Sequence, residues 1–195
     1  MRAGPVRKQL GVGEDILLFG YLGRFVDRKG FPVLIEAVEA AEKSSLIGRD
    51  YRVVAIGSGD RKKPYERLIR SKGLAHRMMF LPFQHDIAPV LAEMDCVLMP
   101  SLWEAWGLLA TEVLCAGVPL IASDCLGLRE AVRNTPAILV RTGDKYALAE
   151  AMSGFAKSPP YNAFESFKNE ACDRFDVKRS SAALEEVFDR LVADL

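Results

Sequence analysis

Short apolar runs alternate with longer helical patterns along most of this chain. ILLFGYL at 16–22 reads as a buried strand, and FPVLIEAVEAAEK from Phe31 follows as a helix. YRVVAIG at 51–57 is a second strand, followed by the polar helix RKKPYERLIRSKG, beginning near Pro64 and ending at Gly73. MMFL at 78–81 is a third strand, with a short helix around IAPVLAEM after it. CVLM at 96–99 is a fourth, and the segment after it becomes a helix over 107–116. PLIA at 119–122 and AILV at 137–140 complete six strands, with a short helix at LREAV between them and KYALAEAMSGFAK behind. Strands this short and this apolar, each separated by a helix, predict a parallel sheet covered on both faces. The expected fold class is therefore α/β, a Rossmann-like doubly wound parallel sheet of about six strands. SPP at 158–160 marks a break. Two terminal helices are expected over 158–195, the last with an apolar stripe of Leu184, Val187, Phe188, Leu191 and Leu195.

At 195 residues, half of them hydrophobic, the chain suffices for one domain with one large core. Lys plus Arg and Asp plus Glu both number 26, so bulk charge gives no support to nucleic-acid binding. No apolar run approaches the roughly 18 residues a membrane span needs, and the segment MRAGPVRKQLGVGED lacks the apolar core of a signal peptide. Cys96, Cys115, Cys125 and Cys172 form no C-x-x-C pair. Cys96 and Cys115 lie in apolar segments and read as buried free thiols, which fits a reduced, cytoplasmic setting. Neither His76 nor His85 stands at metal spacing from a cysteine, so no metal site is expected.

Ligands of doubly wound sheets bind beyond the carboxyl ends of the strands, and those segments carry the chemistry here. The first strand runs into LGRFVDRKGF, which holds Arg24 and Lys29 on one loop. Two cations at a sheet edge suit a diphosphate, although Asp27 and Arg28 also allow a solvated loop. The second strand ends in GSGD, where Gly57 permits close backbone approach to a ligand or a plain turn. It is not the G-x-G-x-x-G of dinucleotide-binding dehydrogenases. The fourth strand leads into SLWEAWGLLATEVLCAG, where Gly107 and Leu108 open a helix whose free N–H groups favour an anion. Glu104 precedes that helix. Glu112 sits within it among Leu108, Leu109, Cys115 and Ala116, which share its face. A carboxylate buried there needs a partner, either Arg24 or Lys29 or the hydroxyl of a ligand. Two cations, a helix N-terminus and two carboxylates fit the phosphates and hydroxyls of a nucleotide-sugar.

The stretches LGRFVDRKGFPVLIEAV, GSGD, EAWGLLATE and CAGVPLIASDCLGLREAV resemble the retaining family 4 glycosyltransferases, within the glycosyl transferases group 1. The resemblance covers about residues 10–155. It is to the C-terminal, donor-binding half of their GT-B fold. Its strongest mark is the pair Glu104 and Glu112 in an E-x7-E motif set in E-x-W-G-L and A-G-V-P. The resemblance implies that Arg24 and Lys29 hold the diphosphate of a UDP-, GDP- or ADP-sugar. It also implies that Glu112 binds the ribose, that Glu104 contacts the transferred sugar, and that Gly57, Gly107 and Leu108 lie against the donor. FLPFQHD would line the base pocket. No other cofactor or metal is expected. Trp106 departs from the Phe more common in the family.

GT-B enzymes also have an N-terminal acceptor domain, to which nothing here corresponds. The expectation is that residues 1–12 are a hinge remnant and that the saccharide or lipid-linked acceptor is held by that other domain. Peripheral membrane association would belong to the full-length enzyme. The chain alone would be inactive, with its last helix folding onto its own core or meeting another copy. The rival readings are a stand-alone, non-catalytic nucleotide-sugar-binding or assembly module, and a glycoside hydrolase using the paired carboxylates. The hydrolase reading leaves both cations without a role.

Overall fold

The computed structural model describes residues 4–193. Six strands form one sheet in the order β3-β2-β1-β4-β5-β6. They are β1 (Leu17–Leu22), β2 (Tyr51–Ile56), β3 (Met78–Leu81), β4 (Cys96–Met99), β5 (Leu120–Ser123) and β6 (Ile138–Val140). Every pairing is parallel. The helices are α1 (Pro5–Leu10), α2 (Phe31–Lys43), α3 (Lys62–Ser71), α4 (Ala88–Glu93), α5 (Leu108–Cys115), α6 (Leu126–Ala131), α7 (Lys145–Lys157), α8 (Tyr161–Arg174) and α9 (Val177–Ala193). The doubly wound α/β architecture expected from the pattern is the one observed. Helix α3 starts ahead of Pro64, which falls in its first turn, and stops at Ser71 rather than Gly73.

Strand alternation divides the core between the two faces of the sheet. Leu17, Phe19 and Tyr21 of β1 pack with Phe31 and Leu34 of α2, Tyr65 of α3 and Phe155 of α7. Leu18 and Leu22, on the opposite face, pack with Leu91 of α4, Val113 and Leu114 of α5, Leu128 of α6 and Phe164 of α8. Because helices cover both faces, every residue of β1 is buried, which is why the strand reads as one continuous apolar run.

Three expectations are corrected. Within residues 1–12, read as a hinge remnant, Pro5–Leu10 forms helix α1, and Arg7 inside it is 2% exposed. Arg7 bonds the Asp95 carboxylate at 2.7 Å, the Glu93 carbonyl at 3.2 Å, and the carbonyls of Gly13 and Ile16. The Glu93 carboxylate in turn accepts the backbone N–H groups of Val6 and Arg7. The segment is thereby built into the domain. Second, Cys115 is only half-buried and Cys172 is exposed; Cys96 is buried as expected. Third, of the two alternatives expected for the last helix, folding onto the core is not the one observed. Residues 177–192 are all exposed, including Leu184, Val187, Phe188 and Leu191 of its stripe; Leu195 lies outside the described residues. No helix among the described residues is long and apolar enough to cross a membrane.

Candidate functional site

The sheet order reverses at β1, which lies between β2 and β4. Connections from the neighbours β1 and β4 leave in opposite directions, to β2 and to β5, and open a crevice at their carboxyl ends, where doubly wound sheets bind ligands. The loop after β1 carries Arg24 and Lys29, and the segment after β4 carries Glu104 and leads into α5. The two loops are stapled together. Leu102 and Trp103 donate their backbone N–H groups to the Arg28 carbonyl at 2.8 and 3.3 Å, and the Arg28 guanidinium lies 5.6 Å from the Trp103 ring centre. Gly30 (φ +67°) fits so closely that a Cβ there would stand 1.8 Å from the Pro100 carbonyl oxygen.

The result is a cleft of about 520 Å³, within the range of small-ligand sites. One wall holds Gly23, Arg24, Arg28 and Lys29. The other holds Leu109 and Glu112 of α5, and Phe83, Gln84 and His85 close the end. Arg24, Lys29 and Glu112, far apart in sequence, thus share one cleft. Arg28, read as part of a solvated loop, lines it too, as do Ser58 and Leu109. Their signal in the sequence was only their position beside the strand ends. Loop 80–86, FLPFQHD, supplies Phe83, Gln84 and His85 to the same cleft. A second hollow, about 460 Å³ between α2 and α7, is lined by charges that pair with one another: Lys43 with Glu39 at 2.8 Å and Lys145 with Glu36 at 3.3 Å.

The two carboxylates sit differently from expectation. Glu112 is exposed at the cleft rim rather than buried, and no hydrogen bond or ion pair joins it to any described residue. The surrounding protein still withdraws water from it, and that desolvation raises its pKa above the ordinary glutamate value. It is Glu104, not Glu112, that takes Lys29 as its partner, and the Ser101 hydroxyl donates to the same carboxylate oxygen at 3.0 Å. Ser101 is itself fixed, because its carbonyl accepts the buried Ser123 hydroxyl. Arg24 is exposed, with no ion pair among the described residues. Behind it the Tyr21 hydroxyl donates to the Arg24 carbonyl at 3.2 Å. Burial pushes that phenol far above its usual range, and the charges of Tyr65 and Glu104 add to the effect, so it stays a neutral donor.

Gly107 (φ +86°) caps α5, and Leu108, 72% exposed, opens it; no side chain caps the first turn. Gly57 (φ +154°) is buried, and a Cβ there would meet the Gly23 carbonyl oxygen at 1.9 Å. That contact accounts for the glycine, while its neighbours Ile56 and Ser58 face the cleft.

A parallel sheet with a charged cleft at its switch point places the chain in the Rossmann-like class of α/β domains. The family model of glycosyl transferases group 1 matches residues 5–173, and the chain belongs to that family. It is 30% identical over 158 residues to the 2-deoxystreptamine glucosyltransferase of Streptomyces kanamyceticus, covering 79% of this chain and 40% of that protein. It is 31% identical over 195 residues to the lipopolysaccharide core biosynthesis glycosyltransferase LpsD of Rhizobium meliloti, covering 98% of this chain and 55% of that one. In fold it resembles the Anabaena protein HepE, solved in complex with UDP and glucose, with a TM-score of 0.83 at 24% identity over 96% of this chain and 53% of that chain. The chain thus spans about half, or less, of the length of the proteins it matches.

Proposed function

We propose that this chain is the donor-binding part of a retaining glycosyltransferase. The enzyme would move a sugar from a nucleoside-diphosphate sugar to a saccharide or lipid-linked acceptor held by a separate domain. One observation carries the reading: the switch-point cleft gathers exposed Arg24, Lys29 and an unpartnered Glu112 within one volume. Phosphate oxygens are acceptors only and suit the cations; ribose hydroxyls donate and suit the carboxylate. The fold likeness to a protein solved with UDP and glucose, and the sugar-transferring relatives, support the same reading.

In this scheme Arg24 and Lys29 hold the diphosphate, with Gly107 and Leu108 offering backbone amides beside it. Gly57 keeps the neighbouring turn close to the donor. Glu112 accepts the ribose hydroxyls and Glu104 contacts the transferred sugar. The leaving diphosphate is a weak base. It needs its growing negative charge stabilised rather than a proton, and fixed cations in a partly dehydrated cleft do that. Lys29 starts paired with Glu104, so donor binding exchanges that partner for phosphate.

Calorimetric titration of the chain with UDP, GDP and ADP tests the proposal. Binding of at least one is expected. Charge-assisted hydrogen bonds contribute about 1.5–3 kcal/mol, so Arg24→Ala should weaken it about tenfold to a hundredfold. Unchanged affinity in both Arg24→Ala and Lys29→Ala would remove the basis for the reading.

A further inference from the structure

Helices α5 and α8 lie side by side. Phe164 and Ala171 of α8 are buried in the same core as Val113 and Leu114 of α5, and Glu165 and Lys168 stand over Gly117 just past the end of α5. At this junction two cysteines meet. Cys115 is the last residue of α5, and Cys172 lies in the last turn of α8. The Cys172 sulfur is 3.6 Å from the Cys115 carbonyl oxygen, and it lies close enough to the Cys115 side chain to help hold that thiol protonated. Cys96 and Cys125 are buried, whereas Cys115 is half-buried and Cys172 exposed, so this pair alone combines mutual contact with access from solvent.

We propose that Cys115 and Cys172 are a thiol-modification site that closes into a reversible disulfide, bridging α5 to α8. The co-reactant is a low-molecular-weight disulfide. The exposed Cys172 attacks first as its thiolate, forming a mixed disulfide and expelling one small thiol. Cys115 then loses its proton to solvent, and its sulfur attacks the Cys172 sulfur and expels the second small thiol. Two cysteine thiols are oxidised, one small disulfide is reduced to two thiols, and the protons balance. Burial, the adjacent Cys172 and the charge of Glu112 hold the Cys115 thiol up to about 11, which makes it the second rather than the first nucleophile. Glu112 lies one helical turn before Cys115, so the bridge ties down the helix that carries it. The bridge does not depend on what the cleft binds.

The test is covalent. The full chain is reduced, then incubated with glutathione disulfide under native conditions, and its mass is read before and after tryptic digestion. The expected product is lighter by two hydrogens and joins the peptide spanning 78–129 to that spanning 169–174. The first peptide also contains Cys96 and Cys125, so Cys115→Ser distinguishes them. That variant should stop at the glutathione adduct on Cys172, and Cys172→Ser, a change at an exposed position, should show neither adduct nor mass loss. Reductant should restore the starting mass of the wild type. A wild type that halts at the glutathione adduct, forms disulfide-linked dimers of two chains, or keeps the joined peptide in Cys115→Ser overturns the proposal.

Discussion

Glu104 and Glu112 show how much a side chain's setting decides beyond its spacing. The helical pattern placed Glu112 on an apolar face, and an apolar face is ordinarily an inward one. Here the face is turned to the cleft rim, and Leu108 on it is 72% exposed. The E-x7-E spacing was legible. Which carboxylate Lys29 takes was not, because that depends on how two loops pack. The pairing has a measurable consequence. Because Glu104 holds Lys29 in the unliganded site, Glu104→Gln releases the cation and should leave nucleoside-diphosphate affinity equal to or above that of the wild type. Glu112→Gln should weaken it. An equal loss in both variants would show the assigned roles to be wrong. The raised pKa of Glu112 adds a pH signature. A carboxylate whose pKa is raised takes up its proton at a higher pH than a free glutamate. Its ionised form, the ribose acceptor in the proposed scheme, is present above that pKa and is lost as pH falls through it. Titrations from pH 7 down towards the carboxylate range should therefore show wild-type affinity falling before that of Glu112→Gln. The ligand's own phosphate titrates in both proteins and cancels in the comparison.

At the scale of elements, the legible parts were those whose physics is local. Strands β1, β4 and β5 were found because burial on both faces leaves only apolar residues there, and the less buried β3 and β6 are still short apolar runs. Helix α1 was missed because six residues flanked by Gly4, Gly11 and Gly13 carry too little helical signal of their own. Distant partners fold it: Glu93 accepts its first N–H groups, and Arg7 reaches Asp95, which also accepts the Leu18 N–H at 2.7 Å and the Tyr161 hydroxyl at 3.1 Å. One buried cation thus joins α1, β1, the start of β4 and the start of α8. Removing it takes the paired cation away from a buried carboxylate, so Arg7→Ala should destabilise the chain by about 3–5 kcal/mol. Arg61→Ala breaks an ion pair with Asp27 that is exposed on both sides and should change stability by less than about 1 kcal/mol. Urea unfolding of the two variants makes the comparison. If they lost stability equally, the Arg7 network would be surface decoration rather than a fastening.

At the scale of the whole molecule, the cleft is open to solvent, with Arg24, Phe83 and Glu112 of its lining exposed. The loops after β1, β2 and β3 and helix α5 line it, and Trp103, Trp106, Leu108 and Leu126, on the segments that follow β4 and β5, remain exposed. Such a concentration of large apolar side chains is uncommon on a free surface, which agrees with the proposed second domain. Helix α9 agrees with this. Its pattern was legible, but what covers its stripe was not, because an amphipathic face specifies only that it needs a neighbour. Sugar transfer between two substrates depends on holding both in register and excluding water, and a cleft this open does neither. The chain should therefore bind a nucleoside diphosphate yet transfer nothing from a panel of radiolabelled UDP-, GDP- and ADP-sugars to saccharide or lipid-linked acceptors. Supplying a domain that covers the exposed face should restore transfer without changing which nucleotide is bound, since the proposed scheme draws the base, ribose and diphosphate contacts from this chain alone. Robust turnover by the chain alone would mean that the acceptor site is built from these same residues, with the ring of exposed aromatic and leucine side chains around Glu104 as its wall.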